Sequence, residues 1–340
     1  MLKKENNEIK PDQDFKIDIF KPKDAPGVTG LFLSVYGDKY PVNTFLDPEL
    51  LIRENNAQRV ISSVARTSSG DIVGHNALFQ SAPNKRIYES GAGLVHKYYR
   101  GGQGIFTDLV AHGISLSAQK PDIDGIFGES VCNHVFSQKM TRKSGFITTA
   151  IEVDLMPAAA YAKEKSARGR VTSLLDFKIC KHGSHKIFIP GIYKNLLDFI
   201  YSKFDDTREF SVADKALPDS EPTKIDTQYF DFAKVARMTI WQMGKDFDKY
   251  FTKKEKQVID LGASVIQVWI NLGSAWNQNA VNILRKKQYF TGGILPRWFG
   301  TDGLLMMKTL HQPHWEEIKI HFDHAKKILN FIKKDWQGNT

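Results

Sequence analysis

The sequence predicts an α+β protein built from two similar halves in tandem, and three observations support this prediction. Strand-like segments alternate with amphipathic helical segments along the 340 residues. A strand passes through a glycine-rich turn into a helix over 94–109. The segment 129–146 aligns without a gap on the segment 273–290, and this match indicates an internal duplication.

The first half begins with a strand and a helix, continues with three strands, and ends with helices and strands in alternation. Asp24 is the expected N-cap of the first helix, and Pro26 fits its first turn. The expected strands are 15–19, 59–66, 72–79, 87–95 and a segment around 125–128, and the expected helices are 25–36, 106–119 and 135–143, with a last pair of strands from 146 onward.

The second half repeats this plan. In the gap-free alignment Asn133 meets Asn277, and Lys143 meets Lys287. We therefore expect one domain over 1–165 and a second over 166–340. The expected strands are 186–189, 235–243 and 265–271, the expected helices are 193–204 and 278–287, and a strand pair follows through 307.

The glycine-rich turn has the chemistry of an anion site. Gly101, Gly102 and Gly104 let the backbone approach a ligand closely. A helix that begins near Ile105 offers unpaired N–H groups and the positive end of its dipole, which suit a pyrophosphate. The alternative is an ordinary connection between a strand and a helix.

The residues around this turn resemble a known motif. An apolar strand, a short polar run, Arg-Gly-x-x-Gly-Ile and an amphipathic helix together resemble the acyl-CoA-binding motif of the GNAT N-acyltransferases. The resemblance implies two GNAT-like domains in tandem, each a mixed, mostly antiparallel sheet flanked by helices, with acyl-CoA as co-substrate. The cofactor-binding residues that it implies are Leu94, Val95, Arg100, Gly101, Gly102, Gln103, Gly104, Ile105, Phe106, Thr107 and Asn133.

The chain departs from the motif in two ways and repeats it only in the first half. The loop has one extra residue, and Phe106 stands where the second small residue is expected. Asn133 is expected to contact the pantetheine arm or to cap the following helix. The counterpart in the second half, 241–247, has one glycine, and its Asp246 would repel a pyrophosphate. We expect one acyl-CoA site, in the first half.

Acyl transfer to an amine needs a group that takes the proton of the amine. Glu89 is the first candidate, because an unbroken period of two would place it on the same face of its strand as Val95. Glutamates at this strand act as bases in histone-acetyltransferase members of the resembled family; the alternative is a salt-bridged surface residue. Glu129 is the second candidate, and His96 and His134 are weaker ones. Thr141 stands where many members carry an acidic tyrosine.

Two segments are candidates for binding the acceptor. Tyr36, Lys39 and Tyr40 follow the first helix, where the family builds its acceptor pocket, and Arg297 and Trp298 join two strands of the second half. Structured turns explain both segments as well. The resemblance extends to bacterial enzymes that acylate nucleotide-linked amino sugars, which implies a dTDP-linked 3-amino-3,6-dideoxy sugar as acceptor. The alternatives are a protein or polyamine acceptor, a non-catalytic acyl-CoA sensor, and nucleic-acid binding.

Composition and charge limit the classes of ligand, cofactor and cellular location that we expect for this protein. The formal net charge of +9 suits an anionic small molecule, and no nucleic-acid-binding module is visible. Two cysteines, Cys132 and Cys180, are expected to be buried thiols in a reducing cytosol. The ten histidines show no metal-ligand pattern, so we expect no metal. With neither an apolar run of membrane-spanning length nor an apolar leader, the expected location is cytoplasmic.

Overall fold

A computed structural model describes residues 9–40, 42–101, 104–120, 122–161, 166–205 and 207–338. The fold class is α+β, as predicted. The strands are β1 (Phe15–Ile19), β2 (Val60–Thr67), β3 (Ile72–Phe79), β4 (Ile87–Val95), β5 (Gly125–Val131), β6 (Ile147–Met156), β7 (Val171–Ile179), β8 (His185–Ile189), β9 (Arg208–Val212), β10 (Lys224–Phe230), β11 (Val235–Gln242), β12 (Val265–Asn271), β13 (Phe290–Leu295) and β14 (Gly303–Thr309).

The helices agree with the sequence pattern where that pattern is strongly periodic. They are α1 (Ala25–Tyr36), α2 (Pro48–Asn56), α3 (Ile105–Ala118), α4 (Phe136–Lys143), α5 (Lys194–Tyr201), α6 (Phe247–Asp260), α7 (Asn277–Lys286) and α8 (Asp323–Gln337). Among the described residues, no helix is long and apolar enough to cross a membrane. Cys132 is buried and Cys180 is half-buried, and both are free thiols.

The chain divides into two compact units, unit 1 (1–126) and unit 2 (127–340). In unit 1 the strands β1, β2, β3 and β4 form an antiparallel meander in this order. One of its cores contains residues of α1 and α2, including Phe32 and Leu51. A second core contains Ile105 and Leu109 of α3. Asp24 is the N-cap residue of α1, as predicted, although its carboxylate pairs with Arg66 at 2.6 Å and makes no capping hydrogen bond to the helix.

In unit 2 the strands follow the order β5, β7, β6, β13, β14, β12, β11, β10. The pairs β6–β7, β13–β14, β12–β14 and β10–β11 are antiparallel, and β11 runs parallel to β12. The strands β8 and β9 form a separate parallel pair. The sheet is therefore mixed and mostly antiparallel.

The compact units do not coincide with the expected division at residue 165, because β6 pairs with β13. Gly293 of β13 lies opposite Ala150 of β6, and the Thr149 hydroxyl donates to the Ile294 carbonyl at 2.8 Å. Gly293 has a φ of +115°, and a Cβ there would lie 2.3 Å from the Thr149 carbonyl oxygen. Because of this close contact between strands, β6 and β7 belong to unit 2.

The order of elements supports the internal duplication. The series β4, α3, β5, α4, β6, β7 recurs along the chain as β11, α6, β12, α7, β13, β14. Asn133 and Asn277, which the alignment pairs, are both buried. Each donates its amide group, to the Ser166 hydroxyl and to the Phe188 carbonyl respectively, both at 2.8 Å. Asn133 does not cap α4, which begins three residues later at Phe136.

Candidate active site

A β-bulge interrupts β4 at Ala92, nine residues before Gly101 of the predicted anion loop. Gly91 lies opposite Ala77, whereas Leu94 lies opposite His75. Between these pairs β4 advances by three residues and β3 by two. Ala92 takes up the extra residue with a φ of +50°. A bulge of this kind leaves one residue outside the regular ladder and re-aims the backbone groups around it.

His75 holds the bulge from the inside. Its Nδ1 lies 2.8 Å from the Ala92 carbonyl oxygen, and its Nε2 lies 3.0 Å from the Ser62 hydroxyl. Burial lowers the pKa of His75 to about 4, so the ring is neutral at pH 7. Since a carbonyl only accepts, Nδ1–H donates to Ala92 and Nε2 accepts from Ser62. The left-handed residue is thereby fixed by a fully paired histidine.

The expected alignment of Glu89 with Val95 is wrong, because the bulge adds one residue between them. Glu89 lies opposite Phe79, and Val95 lies opposite Gly74, five residues away on β3. An odd separation on β3 places the two on opposite faces of the sheet. Val95 accordingly packs in the core that contains Ile105.

Glu89 instead shares its surroundings with the predicted acceptor segment. The Glu89 carboxylate lies 3.0 Å from the place that a Cβ would take at Gly91, beside the ring of Phe79. Burial, and then the charges of Tyr36 and Glu89, raise the pKa of Tyr40. The Tyr36 and Tyr40 ring centres are 5.0 Å apart. The first candidate base and both tyrosines therefore gather on one side of unit 1.

The glycine loop is open where the structure describes it. Gly101 and Gly104 have φ values of +82° and +69°, and no atom lies within 4 Å of a Cβ built on Gly101. Arg100 donates from Nε to the Val95 carbonyl at 2.8 Å, which ties the loop to the end of β4. Gly104 immediately precedes α3. Gly102 and Gln103 fall outside the described residues, as does the side chain of Lys39.

Two side chains of α3 depart from a simple anion site. Asp108 is exposed in the first turn, with a carboxylate oxygen 4.0 Å from a Cβ built on Gly104. Its charge stabilises the helix but opposes a bound anion. The Phe106 ring lies on the bulge, since a Cβ on Gly93 would be 2.3 Å from it. Thr107 is half-buried, and Ile105 is buried.

Unit 2 contains a carboxylate cluster of its own. Glu152 of β6 is 1% exposed, and its Oε1 accepts from Gln267 at 2.7 Å and from Arg237 at 3.3 Å. Its Oε2 has no hydrogen-bond partner among the described residues. The Arg237 guanidinium lies 5.2 Å and 4.9 Å from the ring centres of Phe230 and Trp269. Glu152 thus has one oriented oxygen and one free oxygen.

The two carboxylates of this cluster influence each other. Burial, and then the charge of Glu129, raise the pKa of Glu152 to about 7. Desolvation also raises the pKa of Glu129, against the opposing charge of Arg237. The Glu129 side chain is nevertheless exposed to solvent. A carboxyl with a pKa near 7 suits proton transfer at neutral pH.

Sequence reasoning found Glu129 but missed Glu152. The signal was available, because Glu152 and Asp154 are charged residues within the apolar run Ala150–Leu155. Every residue of that run is buried. Charged residues are almost never fully buried unless they are paired, so two of them in a buried strand indicate a polar site.

The remaining predicted residues have structural partners. Trp298 is 3% exposed and packs against Phe127 and Trp269, so its expected role in stacking on a ligand is wrong. Arg297 donates from Nη2 to the Gly183 carbonyl at 2.7 Å. The Thr141 hydroxyl lies 2.9 Å from the buried Asp176 carboxylate.

The two candidate histidines are half-buried. Burial lowers the pKa of both His96 and His134.

Comparison with known proteins gives matches among solved structures only. No family model and no curated protein matches the chain. The fold is similar to that of a ribosomal-protein-S5-alanine acetyltransferase from Vibrio fischeri, with 15% identity, a TM-score of 0.39, and coverage of 49% of this chain and 93% of that chain. YncA from Salmonella typhimurium, solved with acetyl-CoA, is 13% identical to this chain, with a TM-score of 0.40 and coverage of 51% of this chain and 97% of that chain. Spermidine/spermine N-acetyltransferase SpeG from Vibrio cholerae is 12% identical to this chain, with a TM-score of 0.38 and coverage of 49% of this chain and 95% of that chain.

Proposed function

We propose that this chain is an acyl-CoA-dependent N-acyltransferase whose acyl-CoA site lies on unit 1. The observation that carries the proposal is the bulged end of β4, followed by positive-φ glycines that lead into α3. A bulge leaves backbone groups outside the ladder, and those that His75 does not engage can pair with an extended ligand such as a pantetheine arm. The unpaired N–H groups at the start of α3 suit the pyrophosphate.

Glu89 is the proposed general base. It accepts a proton from the ammonium group of the acceptor, and the freed nitrogen lone pair attacks the thioester carbonyl carbon. The C–N bond forms and the C–S bond breaks, so that CoA leaves as a thiolate. That thiolate takes the second proton, which the nitrogen releases as it becomes an amide. The position of Glu89 beside Tyr40 supports this role, since a carboxylate among aromatic rings attracts a cationic amine. Tyr36, Lys39 and Tyr40 are the proposed acceptor residues.

The acceptor is proposed to be a small-molecule amine. The net charge of +9 supports an acceptor that also carries phosphate, such as a dTDP-linked 3-amino-3,6-dideoxy sugar. The negative charge of the Glu89 carboxylate supports binding of the amino group of that molecule. A polyamine or a protein amine would pair with the Glu89 carboxylate, but it brings no phosphate to pair with the positive charge of the chain.

Glu152 is the second candidate for the base, on one specific observation. Its Oε2 is free while Gln267 orients its Oε1, and its pKa of about 7 lies at the operating pH of most enzymes. Asn133 stays a proposed contact of the pantetheine arm, because its buried Oδ1 has no partner among the described residues.

The test is release of free CoA thiol by the full chain. Acetyl-CoA and longer acyl-CoAs are offered with a nucleotide-linked amino sugar, with spermidine and with a lysine peptide, and each rate is corrected by a reaction without acceptor. The correction matters because Cys180 is a free, half-buried thiol that can also contribute to a thiol signal. Turnover with the amino sugar above the other amines is expected. If calorimetry detects no CoA binding and no amine is acylated, the proposed function is wrong.

A further inference from the structure

A buried aspartate in β6 has an unusual conformation. Asp154 is 0% exposed and has a φ of +54°, a value that non-glycine residues rarely adopt. Its Oδ1 is buried and has no hydrogen-bond partner within the described part of the chain. An unpaired carboxylate oxygen in the interior is costly unless a cation satisfies it.

Two histidines meet this carboxylate from the segment that follows β14. His311 Nε2 lies 2.8 Å from Asp154 Oδ2, and His314 Nδ1 lies 2.9 Å from the same oxygen. The backbone N–H of His314 also donates to Oδ2, at 3.2 Å. One ligand atom from each of the three residues lies within 4.8 Å of the others. Three nitrogens therefore crowd one oxygen, while the other oxygen has none.

The surroundings are shaped around the second histidine. A Cβ on Gly169 would lie 2.3 Å from the His314 ring, so only glycine leaves room for the imidazole there. The His311 and His314 side chains are 27% and 38% exposed. Solvent therefore reaches the cluster from the histidine side, whereas the carboxylate is sealed on the protein side.

We infer that Asp154, His311 and His314 bind a divalent transition-metal ion. Two imidazole nitrogens and one carboxylate oxygen form a donor set that Zn²⁺ and its neighbours prefer, with a fourth position open to water. At metal–ligand distances of about 2.1 Å, tetrahedral ligand atoms are roughly 3.3 Å apart. The two rings would need to retreat from Oδ2 by only about 0.5 Å, which ordinary side-chain rotation supplies.

The expectation of no metal rested on the absence of a metal-ligand pattern among the histidines, in which pairs three residues apart, such as His321 and His324, have no cysteine or third histidine beside them. His311 and His314 have the same spacing of three residues, but their carboxylate comes from a strand more than 150 positions away. The charge of Arg170 opposes a dication, but Arg170 donates to the Asp154 backbone carbonyl and not to its carboxylate. Among the described residues, the Asp154 carboxylate is therefore hydrogen-bonded only by His311 and His314.

The experiment is titration of the metal-stripped full chain with Zn²⁺ alone, followed by calorimetry, and with Co²⁺, followed by visible absorption. One ion per chain is expected, together with the intense absorption of tetrahedral cobalt and a higher melting temperature. His311→Ala and His314→Ala should each weaken Zn²⁺ binding by at least about tenfold and abolish the rise in melting temperature. His321→Ala is the matched control, an exposed histidine from the pair with the same spacing, and should bind as the unmodified chain does.

Two results would overturn the inference. One is the absence of stoichiometric Zn²⁺ binding by the unmodified chain. The other is equal affinity in His311→Ala, His314→Ala and His321→Ala, which would place the ion elsewhere. Both histidine variants keep the buried Asp154, and a circular dichroism spectrum that matches the unmodified chain shows that they are folded.

Discussion

The connection from strand through loop to helix occurs twice, and the space around its glycines differs between the two copies. After β4, Gly101 and Gly104 have positive φ values, and Gly101 has open space around it. After β11, a Cβ on Gly244 would lie 1.8 Å from the Glu221 carbonyl oxygen, and Asp246 accepts from the Thr223 hydroxyl at 2.7 Å. The glycines of the first connection leave room for a ligand, whereas the glycine of the second leaves room for the chain itself.

The strands that lead into these connections differ as well. The bulge at Ala92 interrupts β4, and His75 holds it. In β11 the register stays regular from Val235 to Ile240 along β12, and the irregularity against β10 falls only at the end of the strand. The geometry proposed for ligand binding is therefore present after β4, whereas the chain itself fills the corresponding space after β11.

Gly104→Asp gives the largest expected effect, the loss of detectable CoA binding by calorimetry. The φ of +69° strains any side chain, and a second carboxylate beside Asp108 repels the pyrophosphate. Gly70→Asp is the matched control, because Gly70 has a φ of +96° and equally open surroundings in a turn of the same unit. Equal CoA affinity in the two variants would remove the functional difference between the connections.

Glu89→Gln should lower kcat by roughly 10²–10⁴-fold and leave CoA affinity nearly unchanged, because it removes the proton acceptor and keeps the shape. The rate should recover as pH rises, since the amine then loses its proton unaided. Glu49→Gln, at an exposed glutamate of α2, is the control. A full rate in Glu89→Gln together with a collapse in Glu152→Gln would move the chemistry from unit 1 to the carboxylate cluster of unit 2.

The sequence could predict elements but not the details that decide faces and sites. The helix 25–36 and the strand 72–79 were predicted to the residue, because their apolar spacing is local information. The bulge at Ala92 was not, and one extra residue reversed the face of Val95 relative to Glu89. The pairing of β6 with β13 depends on contacts far apart in sequence, so no local pattern could predict it.

The pH dependence of folding should show that the first copy depends on a neutral histidine. The pKa of His75 is lowered to about 4 in the folded chain, so the unfolded chain binds more protons between pH 6.5 and 4. Stability is therefore fully present above pH 6.5 and falls as pH drops to 4, by about 3 kcal/mol at most from this group. In urea unfolding, His75→Gln should be less stable at pH 7 and should lose less stability than the unmodified chain between these pH values. An unchanged slope would mean that the bulge does not depend on the neutral ring.

Gly244→Ala should give the smallest effect and bears most directly on the closed connection. Its Cβ would collide with backbone at Glu221, which cannot move as a side-chain end can, so a destabilisation of about 1–3 kcal/mol is expected. Gly30→Ala is the control, since no atom lies within 4 Å of its Cβ and alanine favours the helix, which should raise stability slightly. Urea unfolding measures both, and CoA affinity of the folded variants should be unchanged. If Gly244→Ala instead weakens CoA binding at undiminished stability, the second connection takes part in the site, and the contrast drawn between the two copies fails.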